Sequence, residues 1–135
     1  MQIKLAESDF NTMADWAKEH LPEESCGLLA GIKDGDVRVV KKVYYLTNMD
    51  HTNEHFSMDP KEQLKAIKDM RLTPLGNWHS HPETPARPSK EDIRLAYDSK
   101  ASYLILSLMD TEQPVLHAFT IVDGTPTKDE IVYEA

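Results

Sequence analysis

The sequence predicts one α/β domain in which helices pack against a mostly buried, mixed β-sheet. Three observations predict it. The 135 residues suit a single domain spanning 1–135, large enough to bury roughly two thirds of the unfolded chain's surface without staples. Segments with apolar residues three and four apart are interleaved with short alternating or apolar runs. Two of those runs, 101–108 and 115–122, are almost continuously apolar, as centrally placed strands are.

Each element follows from its own residues. From Ser8 to Leu21 the spacing of Phe10, Met13, Ala14, Ala17 and Leu21 predicts a helix, with Ser8 or Asp9 as cap and Pro22 marking its end. Ser25 to Gly31 reads as a short buried strand. The turn KDGD at 33–36 leads into VRVVKKVYYL, the returning strand of a hairpin. Asp59 caps a second helix, with Pro60 at its first position and Glu62 placed to complete a capping box. Leu64, Ile67 and Met70 form its buried side, and Thr73-Pro74 closes it. Leu75 to Ser80 is a strand, and PETPARP at 82–88 is a loop stiffened by three prolines. Ser89 caps a short third helix with Asp92 at its third position. After the two apolar strands, Asp123-Gly124 turns the chain into a last edge strand near Glu130 to Tyr133. No repeat, linker or low-complexity tail interrupts this order.

Composition narrows the function classes. Acidic residues number 23 against 15 basic ones, for a formal charge of −8, and the basic residues are scattered, which argues against a nucleic-acid partner. Cys26 is the only cysteine, so neither an internal disulfide framework nor a zinc site of several thiolates is available. No apolar run is long enough for a secretory signal or a membrane span, and the expected setting is cytoplasmic, away from membranes.

The stretch WHSHPETPARPSKED at 78–92 carries the chemistry. His79 and His81 lie two apart at the end of a strand, so both imidazoles project to one side and Ser80 to the other. Asp92, in the first turn of the helix that Ser89 caps, is brought back over the strand end by the stiff loop. Two histidines and a carboxylate leave a zinc ion one open position, the catalytic arrangement rather than the closed structural one. Hydrolysis of an amide also needs a carboxylate to move the proton, and Glu23 and Glu24 both stand just ahead of the 25–31 strand. The Ser89 hydroxyl is placed to donate to a developing oxyanion. Other polar candidates read as structural. His20, His51 and His117 are surface or satisfied histidines, His51 and His55 are loop residues instead of a chelating pair, and Cys26 in CGLL is a packing residue.

These residues resemble the motif of the JAMM, or MPN-plus, metalloprotease family. That motif is His-x-His-Pro, seven residues between the second histidine and a serine, then two more and an aspartate. It falls on His79, His81, Pro82, Ser89 and Asp92 without gap or substitution. The family's upstream Glu-x-Cys-Gly context selects Glu24 over Glu23, and Asn48 with the run 55–60 is similar to the segment before the second helix of small bacterial members. Asn77 and Trp78 stand where many members carry other residues, which bears on the pocket beside the ligands.

The resemblance implies a cytidine-deaminase-like JAMM architecture, Zn2+ held by His79, His81 and Asp92, and catalysis by Glu24 and Ser89. It implies cleavage of an amide or isopeptide bond at the C-terminal glycine of a ubiquitin-like or sulfur-carrier protein ending in Gly-Gly, some members releasing an amino acid such as cysteine. A zinc hydrolase of small amides and a non-catalytic interaction module of related fold are the alternatives; the module would lack ligands or glutamate, and none is missing here.

Overall fold

A computed structural model describes residues 1–52 and 56–135. Among the described residues seven strands and three helices follow one another as β1 (Gln2–Ala6), α1 (Glu7–Glu19), β2 (Cys26–Asp34), β3 (Val37–Leu46), α2 (Pro60–Asp69), β4 (Thr73–His81), α3 (Lys90–Arg94), β5 (Ser102–Ser107), β6 (Val115–Val122) and β7 (Thr125–Glu134). Strand pairing closes into a ring in the order β1-β3-β2-β4-β5-β6-β7. The sheet is mixed, as expected: β4 runs parallel to β5, and β1 runs parallel to both β3 and β7.

Because side chains alternate along a strand, the sheet feeds two apolar clusters. Ile3, Leu5, Leu29, Trp78, Leu104 and Leu106 turn to one face, where Met13, Ala14 and Ala17 of α1 complete the main core. Ile105, Phe119 and Ile121 turn to the other and meet Ala86 of the proline-rich loop. The histidines of β4 lie on this second face, since Trp78 and fully buried Ser80 occupy the first.

Several local expectations are corrected. Helix α1 starts at Glu7 with Ala6 as its N-cap and no side-chain cap, because the chain enters it directly from β1, a strand absent from the sequence reading. In α2 Asp59 does cap, accepting from Lys61 N–H. Glu62, however, turns away from the cap and accepts from the backbone N–H and the hydroxyl of Thr47, both at 2.7 Å, tying the helix to the end of β3. Leu64 and Ile67, expected inside, are 53 % and 49 % exposed; the helix rests on a narrow face centred on Ala66. The final strand is no edge: β7 spans Thr125–Glu134 and pairs with β6 on one side and β1 on the other.

Candidate active site

The site is assembled where β2 begins beside the end of β4. Cys26 pairs with His79, and the ladder runs on past the strand end through a reciprocal pair: Ser80 N–H donates to Ser25 O at 2.9 Å, and the Ser80 hydroxyl accepts from Ser25 N–H at 2.7 Å. Continuing that register sets Glu24 opposite His81 and on the same face. Ser80, between the two histidines and pointing the other way, thus spends its hydroxyl on aligning the glutamate segment.

The proline-rich loop closes over the strand end and is fastened at three carbonyls. Ser107 Oγ donates to Thr84 O at 2.7 Å, His117 Nδ1 to Ala86 O at 3.0 Å, and His81 Nδ1 to Pro85 O at 2.9 Å. The last of these bonds puts the proton of His81 on Nδ1 and leaves Nε2 as a lone pair facing inward. Helix α3 follows with the expected box: Ser89 Oγ accepts from Asp92 N–H at 3.0 Å, and Asp92 Oδ2 accepts from Ser89 N–H at 2.9 Å. That cap uses a lone pair of the Ser89 oxygen and leaves its O–H free to donate elsewhere.

Three donor atoms converge. His79 Nε2, His81 Nε2 and Asp92 Oδ2 lie 3.1 Å from one another in all three pairs. The Glu24 carboxylate is next, with one ligand atom each from Glu24, His79 and His81 within 4.8 Å of one another. His79 is buried with its ring stacked on Phe56 at 4.6 Å, and its Nδ1 has no hydrogen-bond partner among the described residues. Two imidazole nitrogens and a carboxylate oxygen packed this closely form a cluster that suits a cation.

The electrostatics agree with that fit. Burial tends to raise Asp92, but its close contacts with both histidines and the bond from Ser89 N–H overcome it and hold the carboxyl far below the usual range. Burial lowers His79. For His81 burial also works downward, but Asp92, the Pro85 carbonyl and Glu24 outweigh it and the net shift is upward. Glu24, 3 % exposed, is pushed up to about 8, chiefly by burial, with Asp92 and Glu91 adding to the effect and His81 opposing it.

Glu23, the other candidate, points away and meets exposed His51 at 2.9 Å. His20 bonds Trp16 O and His117 bonds the loop, as satisfied histidines should, whereas His55 lies outside the described residues. Cys26 is fully buried, with burial first and the nearby carboxylates second driving its thiol up to about 12, which makes it a packing residue. Sequence reasoning gave no role to three contributors: Ser80, Phe56, and Asn48, whose side chain reaches the backbone of Glu24. The inward parity of Ser80 was one signal; Asn48 and Phe56 were marked only by the resemblance, as part of the segment before the second helix, because no local pattern encodes the path of their loop. Beside the donors, Asn77, Pro88, Leu95, Tyr103, Ile105 and Ile121 line a small, mainly apolar pocket of ≈ 60 Å³. No helix among the described residues is long and apolar enough to cross a membrane.

Comparison with known proteins gives these features a context. A family model described as prokaryotic homologs of the JAB domain matches residues 6–122. A CysO-cysteine peptidase of Mycobacterium tuberculosis is 34 % identical over 124 residues, covering 90 % of this chain and 84 % of the relative. A desampylase of Haloferax volcanii is 36 % identical over 90 residues, covering 64 % and 63 %. Among solved structures, a protein from Desulfitobacterium hafniense superposes with a TM-score of 0.89 at 50 % identity, covering 98 % of this chain and 92 % of that one.

Proposed function

The chain belongs to the prokaryotic JAB family of JAMM metalloprotease relatives, and from that premise we propose that it is a zinc-dependent peptidase cleaving the amide or isopeptide bond that follows the C-terminal glycine of a ubiquitin-like or sulfur-carrier protein. The observation that carries the reading is the 3.1 Å triangle of His79 Nε2, His81 Nε2 and Asp92 Oδ2. Tetrahedral coordination with bonds of 2.0–2.1 Å separates ligand atoms by about 3.3 Å, so the donor set fits zinc in spacing and in chemistry. The triangle also supports different roles for the two carboxylates. Asp92 is in contact with both histidines and would hold the metal. Glu24 stands farther off, and burial keeps its affinity for a proton high, as a general base requires.

When bound, zinc would supply Lewis acidity, polarising the scissile carbonyl and acidifying water. The protein's own groups do the rest. Glu24 takes the proton of the attacking water and delivers it to the departing amine. The Ser89 O–H, free of the cap, donates to the oxyanion as charge develops there. His81, fixed by Pro85 O, presents Nε2 without a tautomer change.

A Gly-Gly tail suits the approach because it passes a narrow opening without side-chain clash, and the peptidase and desampylase relatives support a carrier-protein conjugate as substrate. A cytoplasmic setting, with residues 1–135 acting as one domain, belongs to the same reading. The test is incubation with Gly-Gly-ended sulfur-carrier proteins joined to cysteine or another amine, read by intact mass. Zinc-loaded parent should release the amine, with Glu24→Gln slowed about 100-fold or more at full zinc content and Glu23→Gln close to parent. His79→Ala should lose the metal. Zinc-loaded, folded parent that leaves every conjugate intact while turning over a small amide would instead establish the small-amide hydrolase.

A further inference from the structure

The Glu24 segment is held from two sides: Ser25 is bonded to the histidine strand through Ser80, and the main-chain groups of Glu24 itself are bonded elsewhere. On the chain's far side from Ser25 and Ser80, the loop after β3 takes both main-chain groups of Glu24. Its N–H donates to Thr52 O at 2.7 Å, and its carbonyl accepts from Asn48 Nδ2 at 3.0 Å. Asn48 is 6 % exposed and bonds at both ends of its amide. Its Oδ1 accepts from Asp50 N–H and from Ser57 N–H, each at 3.0 Å. Two backbone donors on one end settle which end is oxygen, so the opposite NH2 must be what meets Glu24 O. Asn48 also bridges to Met58, which brings the two limbs of the loop together, and Phe56 on the returning limb stacks on His79.

We propose that Asn48 is a positioning residue for the general base: its amide couples the two described limbs of the loop, 48–52 and 56–58, to the placement of Glu24 above the histidine pair. The geometry requires this residue type. One side chain must accept twice to hold the loop's turn and donate once to hold Glu24, which aspartate cannot do for lack of a donor and alanine cannot do at all. The aspartate variant therefore keeps an acceptor for Asp50 and Ser57 N–H while it replaces the donor to Glu24 O with an oxygen.

The inference rests on Glu24 being the base of the proposed reaction, and its test has two arms. In zinc-loaded protein acting on a carrier conjugate, Asn48→Asp should lower kcat about 10-fold or more while leaving KM and zinc content near parent values, because misplacement by an ångström is enough for such a loss. In the Glu24→Gln background the same change should cost nothing further. In chelated protein, amide exchange at Glu24, whose N–H stays on Thr52 O only while the adjoining carbonyl is held by Asn48, should accelerate about 10-fold in Asn48→Asp and in Asn48→Ala, with Ser57 still protected in the aspartate variant alone. Unchanged exchange at Glu24 in both variants overturns the inference. So does a kcat in Asn48→Asp equal to the parent's, or a loss that adds fully to that of Glu24→Gln. If the parent cleaves no conjugate, the functional reading fails by itself, and the exchange arm still decides whether Asn48 holds Glu24.

Discussion

Glu24 gives up ease of ionisation for its position. Burial raises its pKa to about 8 in the folded, metal-free protein, against an ordinary glutamate value in the unfolded chain. The sign of the linkage follows. Below about pH 4.5 the group is protonated in both states and costs nothing. From there to about 8 the unfolded chain ionises first, so stability falls as pH rises through that window, and above it the deficit is constant. Chelated parent should therefore melt at progressively lower temperature than chelated Glu24→Gln between pH 4.5 and 8, by several degrees at the upper end; parallel melting curves across that range would contradict the burial argument. A bound cation next to the carboxylate removes the deficit, which is how a costly group becomes useful. At this scale much was legible beforehand. The spacing of His79, His81, Ser89 and Asp92 on a strand, a loop and a helix turn foretold their convergence, because strand parity and a cap position are local properties. The choice of Glu24 over Glu23 came from the resemblance alone. Its physical basis, a register continued through Ser25 and Ser80, depends on which strands are neighbours.

Elements show where local pattern misleads. Helix α2 has a regular apolar spacing, yet Leu64 and Ile67 face outward and Ala66 faces in, because the helix is anchored at its start by Glu62 on Thr47 and meets β3 with one narrow face. Replacing Leu64 or Ile67 by Gln should change unfolding free energy by no more than about 0.5 kcal/mol in a denaturant titration. Ser80→Ala, by contrast, strips the acceptor from the buried Ser25 N–H and should cost about 1–3 kcal/mol. It should also slow turnover, since the strand pair that places Glu24 loses its fastening. The Ser89 cap and the Pro60 start were readable because capping depends on residues within one turn, whereas the face a helix buries depends on its partner.

For the whole molecule, the strands missed or misjudged are those that complete the ring. β1 has only five residues, and in β7 only the stretch near Ile131 looks like a strand; the remainder, TPTKDE, is polar and pairs because β1 and β6 flank it. Both strands lie largely outside the 6–122 segment matched by the family model, yet the fold uses them: β1 contributes Ile3 and Leu5 to the main core, and Ile131 packs against it. Deleting residues 125–135 should abolish the cooperative unfolding transition seen by circular dichroism, since it opens the ring and uncovers those side chains. The closure has a mechanical side as well. β1 and β7 run parallel, in register from Gln2 with Glu130 to Ala6 with Glu134, so the start of β1 and the end of β7 lie at opposite ends of their overlap. A pull on the two ends draws these strands lengthwise past each other and loads every bond between them at once, where a hairpin would peel open bond by bond. The overlap works as a lap joint, and a pull applied to the start of β1 and the end of β7 must shear it before the load passes to the strand that carries the histidines.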